Sequence, residues 1–141
     1  LALGEIPAPE SGAALLALIT AAESSSQPDQ ARAALQGLLA DTATPALYRD
    51  LAQLRLVLMG EAGGSLSERR AMLDTLTLGS GPFRVLALEH RALLDIEGGD
   101  TDAAIATLQE VIRAAGASQT QKQRAAQLIV ALGGAVALGQ G

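Results

Sequence analysis

Apolar positions recur along this chain at helical spacing, not in the alternation of a strand. Phe83, Leu86, Ala87, Leu93 and Leu94 fall on one stripe, while Val85, Leu88, Ala92 and Ile96 form a second. A helix that is apolar on two sides is sandwiched between neighbours. Further on, Ala104, Leu108, Val111, Ile112 and Ala115 make a single stripe, and Asp100 and Asp102 stand near its start, where carboxylates favour the helix dipole. That segment therefore packs on one side only, and the Gly98-Gly99 pair before it reads as a turn. The same reading along the whole chain predicts helices at 11–23, 29–40, 45–61, 67–76, 82–97, 100–115 and 119–132.

Sliding the chain along itself reveals a repeat. An offset of 35 residues, without gaps, lays Arg49-Asp50-Leu51-Ala52 on Arg84-Val85-Leu86-Ala87. It also lays Leu58 on Leu93, Gly63-Gly64 on Gly98-Gly99, Ala71 on Ala106 and Leu73 on Leu108. The only two aromatic residues, Tyr48 and Phe83, obey the same offset. One step forward brings Leu128 and Gly133-Gly134 into register; one step back brings in Leu16-Ala17 and Leu38. Four units share the period, each a helix pair with a glycine turn. The expected architecture is all-α, a single repeat domain over 1–141 of about seven helices, with flexible flanks at 1–10 and 135–141. The odd last helix serves as a cap, because an array must end on a face that needs no further repeat. Leu51/Leu86, Leu58/Leu93 and Leu73/Leu108 are expected at equivalent buried positions, with Phe83 buried between packed helices.

Composition agrees. Ala and Leu dominate the 49% hydrophobic content, with one Phe, one Tyr and no Trp, so strands have little material. The net charge of −5 and the absence of a basic stripe weigh against nucleic acid and against an anionic membrane surface. No cysteine is present, which removes disulfides, thiolate nucleophiles and sulfur ligands. The first ten residues carry Glu5 and Glu10 but no cation, unlike the start of a signal peptide, and the chain begins at Leu1, as a fragment would. Its longest uncharged apolar stretches, at 11–22 and 125–139, fall short of the roughly 20 residues a membrane helix needs.

Catalytic chemistry finds little support. The segments Gly60-Glu61-Ala62-Gly63-Gly64-Ser65 and Gly79-Ser80-Gly81 lack the preceding strand and the following Lys-Ser/Thr of a phosphate loop, and read as turns. His90 is the only histidine, so a metal site would lack a second imidazole. The acid pairs Asp95/Glu97 and Asp100/Asp102 flank helix ends, where a solvated carboxylate is stabilising anyway. No catalytic residue, metal ligand or cofactor is assigned.

Gly99-Asp100-Thr101-Asp102-Ala103-Ala104, followed by Leu108 and Val111, resembles the turn and second helix of a tetratricopeptide repeat, with Ala92 at that motif's small position. Arg91, Asp95 and Arg69 depart from it. The runs Tyr48-Arg49-Asp50-Leu51-Ala52-Gln53-Leu54-Arg55, Gly81-Pro82-Phe83-Arg84-Val85-Leu86-Ala87-Leu88-Glu89 and Gln123-Arg124-Ala125-Ala126 together resemble the tetratricopeptide-like domain of a bacterial family that includes the ancillary subunit of the Sec translocon. That resemblance implies a periplasmic domain behind a removed N-terminal membrane anchor, holding chaperones or exported polypeptides. It implies no enzyme.

Two readings follow. In the first, the first helices of the repeats line a protein-binding groove, with Arg49, Arg55, Arg84, His90 and Arg91 as candidates, because polar residues on sandwiched helices point into a groove or along a seam. Each is equally readable as a solvated residue of its helix. In the second, apolar surface near Leu128 to Leu138 docks on another copy, giving a weak homo-oligomer, or on the rest of a larger protein. The chain holds no Asn, and its one lysine, Lys122, lies in the expected cap, so the Asn-and-cation clamp by which some tetratricopeptide domains grip a C-terminal carboxylate cannot form.

Overall fold

The computed structural model describes residues 27–136, and among them every regular element is helical. Six α-helices follow one another: α1 Pro28–Ala40, α2 Ala46–Leu58, α3 Leu66–Leu78, α4 Arg84–Glu97, α5 Thr101–Arg113 and α6 Gln119–Ala131. A single 3-10 turn, Gly60–Ala62, lies between α2 and α3. The helix expected at 11–23 and the flank at 1–10 lie outside the described residues. The remaining six expected helices are present, with ends shifted by at most three residues. The chain packs as two compact units, residues 1–72 and 73–141, and the boundary falls inside α3.

In the first unit α1 opens with Pro28, whose fixed φ suits a first helical position and whose missing N–H would have been unpaired there. Its Ala31, Leu35 and Leu38, at i, i+4 and i+7, pack on Ala52 and Leu56 of α2. Tyr48, Leu51 and Met72 lie half-buried around this cluster.

The expected span at 45–61 breaks near its end. At the position where α4 carries Asp95, α2 reaches Gly60, which costs an interior helix turn roughly 1 kcal/mol relative to Ala. Gly60 instead turns left-handed at φ +64°, and the 3-10 turn replaces the last helical turn. The chain then passes so close to α2 that a Cβ on Gly63 would sit 1.8 Å from the Leu56 carbonyl oxygen.

The second unit is built from α4, α5 and α6. One cluster takes Leu88 and Ala92 from α4, Leu108 and Val111 from α5, and Ala125 and Ile129 from α6. Ala92 is fully buried and Ala125 nearly so, and small side chains at these points let neighbouring helices approach.

Helix α4 ends in a Schellman turn: Gly99 stands at φ +82°, its N–H donates to the Ile96 carbonyl at 3.0 Å, and the Asp100 N–H donates to the Asp95 carbonyl at 2.8 Å. Gly133 and Gly134 close α6 the same way, but one residue earlier in register, since α6 stops one residue sooner. Two of the three Gly-Gly pairs that mark the repeat thus close their helices with the same turn at different registers, while Gly63-Gly64 follows a 3-10 turn instead.

The offset of 35 survives in burial. Ala52 and Ala87 are both fully buried and Leu73 and Leu108 are both buried, whereas Leu51 and Leu86 match each other but are only half-buried, short of the burial expected for that pair. Leu58 and Leu93 are also alike, but they are 53% and 47% exposed, so the expectation of burial fails for that pair. Phe83 is half-buried and stands just ahead of α4 as its N-cap, so the expectation that it lies inside the packed helices fails too.

Candidate functional site

The five candidates lie on α2 and α4, the first helices of two successive 35-residue repeats, and three of them hold the end or side of a preceding helix. Arg49 donates from Nη1 to the Asp41 carbonyl, just past the end of α1, at 3.1 Å. Arg84, 35 residues on, donates from Nε to the Thr77 carbonyl near the end of α3 at 3.1 Å. The repeated arginine thus repeats a role: it serves carbonyls that a helix C-terminus leaves without an amide. Arg91 ion-pairs with Asp74 of α3, and its Nε lies 3.9 Å from Asp95 Oδ1 one turn along α4. Asp95 is fully buried, so this arginine lowers the cost of keeping a carboxylate out of water.

Arg55 and His90 differ from these. They share one register position on α2 and α4, and both are half-buried. Arg55 makes no ion pair or side-chain hydrogen bond among the described residues, and on each side of it along α2 lies a leucine, Leu51 and Leu58. His90 is flanked in the same way by Leu86 and Leu93. Burial pushes the His90 imidazole below its ordinary pKa, and the charge of the adjacent Glu89 acts in the opposite direction.

Sequence reading missed a second polar group. Glu89 of α4 accepts from Arg124 Nη2 at 2.7 Å and Nε at 3.3 Å, and from Gln121 Nε2 at 3.2 Å, both donors lying on α6. Glu89 and Arg124 are separated by one repeat, so opposite charges at one register position in successive first helices were a readable signal. Arg69, also unflagged as a contact, is buried and donates from Nε to the Gly64 carbonyl at 3.0 Å, so the departure from the repeat motif at this position anchors the turn before α3.

The glycine-rich segment at 60–65 offers no phosphate cradle. The Gly63 and Gly64 amides already donate to the Gly60 and Glu61 carbonyls, and Ser65 begins α3 by exchanging hydrogen bonds with Glu68. The Glu68 carboxyl is held below its usual range, first by the Ser65 amide and then by the Ser65 hydroxyl. Asp100 caps α5 by accepting from the Ala103 amide at 3.0 Å and is exposed like Asp102, whereas Asp95 is buried where Glu97 is exposed, so the Asp95/Glu97 pair does not share one environment. Among the described residues no three of His, Asp and Glu gather into a metal-binding group, and no helix is long and apolar enough to cross a membrane.

Each first helix presents an apolar stripe with one nitrogenous side chain at its edge. Comparison with protein-family models, with curated proteins and with solved structures finds no match to this chain.

Proposed function

We propose that this chain is a tetratricopeptide-like helical solenoid that works as a non-enzymatic scaffold, binding extended or partly folded polypeptide, and that it serves in the bacterial envelope behind a membrane anchor. The observation that carries the reading is the exposure of Leu58 and Leu93 at one register position. Scattered surface leucines are ordinary, but a leucine left open at the same place in both units, one turn beyond Arg55 and His90, is a repeated surface. Repeat proteins use repeated first-helix surfaces to hold long ligands.

Calorimetric titration with an unfolded polypeptide tests the scaffold directly, and a pair of peptides, one ending in a free carboxylate and one amidated, tests its mode. Binding of the unfolded chain with equal affinity for the two peptides is the expected result. A tenfold preference for the free carboxylate, about 1.4 kcal/mol, would show that residues other than Asn and Lys have rebuilt a terminal clamp. Absence of any binding would end the scaffold reading.

Self-association through the C-terminal surface is the second reading, and Val130, 63% exposed on α6, is the observation in its favour. Leu128, Leu132 and Val136, however, pack on the core of their own unit, and Leu138 lies outside the described residues. A mass independent of dilution favours the scaffold.

A further inference from the structure

The stripe on α2 has a charge signature that narrows what it holds. Leu47 and Leu58, 51% and 53% exposed, lie with half-buried Leu51 on one face of the helix, since residues 11 apart return to almost the same angle. Arg55 stands at the edge of that stripe beside Leu51 and Leu58, and Asp50 lies off its opposite edge beside Leu47, in a chain of net charge −5. Other arginines of the unit are committed: Arg32 lies 3.7 Å from Glu68, Arg49 serves the Asp41 carbonyl and Arg69 the Gly64 carbonyl. Arg55 carries a cation that the described residues do not neutralise, between apolar side chains four residues before and three residues after it.

Resting on the scaffold reading above, we infer that the α2 stripe docks an acidic amphipathic helix. Its apolar residues stand seven positions apart, with an Asp or Glu between them. The spacing follows from geometry. Leu51 and Leu58 are about 10 Å apart along the axis at 1.5 Å per residue, which is the separation of i and i+7 on a facing helix. The acid follows from charge complementarity, because a partner that covers Leu51 and Leu58 also removes Arg55 from water, and a cation so covered needs an anion. A second copy of this stripe fails on the same ground: apposing two of them brings two arginines into one apolar contact. The α4 stripe is a poorer host, since His90 replaces the permanent cation.

The test uses three labelled helical peptides of roughly 18 residues, long enough to hold a helix. They are identical except for Glu, Gln or Lys at the central position, and are titrated against the full chain by fluorescence anisotropy. The Glu peptide is expected to bind at least tenfold more tightly than the Lys peptide, with Gln between them. Arg55→Glu should invert that order, and Leu58→Ser should weaken all three; Leu58 is exposed and Arg55 half-buried, and circular dichroism checks that each variant folds. Equal affinity for the three peptides, or an order unchanged in Arg55→Glu, overturns the inference. So does a concentration-dependent mass that Leu58→Ser abolishes, which assigns the stripe to a second copy. If unfolded polypeptide binds but the charge order is absent, the scaffold stands and the acidic helix falls. If neither binds, the scaffold itself has failed.

Discussion

Gly63 and Gly60 are irreplaceable for opposite reasons, and a pair of alanine substitutions separates them. At Gly63 the backbone is ordinary, with φ −87°, but the space is occupied: the added methyl would collide with the Leu56 carbonyl. Relief requires the 3-10 turn to move off α2, and Gly63→Ala should cost about 1–3 kcal/mol in urea unfolding, as overpacking does. At Gly60 nothing lies within 4 Å, but φ is +64°, so Gly60→Ala should cost about 1–2 kcal/mol from strain alone. An Asn at Gly60 should recover part of that loss, whereas an Asn at Gly63 should recover none. Neither role was legible beforehand, because a Gly-rich segment announces a turn but not which residue is left-handed or which is crowded. His90 gives a residue-scale prediction in pH. Its folded pKa lies below the ordinary 6.5, so the unfolded chain binds the proton more tightly. The stability of the neutral imidazole is present above about pH 6.5 and is lost as pH falls through the lowered folded value. Urea midpoints measured at about pH 7.5 and about pH 5.5 should therefore differ more in the wild type than in His90→Gln. Glu68, also lowered, titrates below 4.5 and does not enter that window.

At the level of elements, helix existence was readable and helix ends were not. The stripe of Ala104, Leu108 and Val111 is the buried face of α5, and Asp100 caps it as its position before the stripe implied. The starts of α3 and α6 hold capping boxes, Ser65 with Glu68 and Ser118 with Gln121, each spaced as two residues that satisfy each other's amides. Both signals stood in the sequence unread. Ser118→Ala should lower stability by about 1 kcal/mol and leave far-UV circular dichroism nearly unchanged. Leu108→Ala, which empties a 2% exposed site shared by three helices, should cost about 2–5 kcal/mol. Phe83→Ala should cost less than Leu108→Ala, because a half-buried N-cap residue surrenders only part of its transfer energy. If Phe83→Ala proved the more damaging of the two, the packing of α4 would have to be reconsidered.

Across the molecule, the 35-residue offset predicted which positions match far better than it predicted what they do. Leu58 and Leu93 match and are open; Arg49 and Arg84 match and serve carbonyls; the glycine pairs match and close their helices differently. Hydrophobicity at helical spacing cannot tell a residue facing a neighbouring helix from one facing solvent when a helix is apolar on two sides. The arginines were ambiguous for a related reason: a guanidinium reaches far enough to serve a carbonyl on the preceding helix, and sequence carries no record of that reach. What sequence did convey was that the first helices carry polar residues among their apolar ones, Arg55 and His90 being half-buried there.

The pairing of Glu89 with Arg124 bears on how long such an array can grow. Duplication of one 35-residue unit, the residues 84–118, would insert a second copy of Glu89 where Arg124 now stands, and the original glutamate would meet another glutamate across the new junction. Glu89's side chain is only 13% exposed, so two carboxylates there would repel in a poorly solvated place. A tandem copying error that lengthens the gene by one such unit would therefore be penalised at the joint it creates. The ion pair thus marks a joint that a simple copy disturbs, and an engineered extension should keep the parent's stability only when the inserted copy carries Gln at that position, because Arg there would in turn face Arg124 at the next joint.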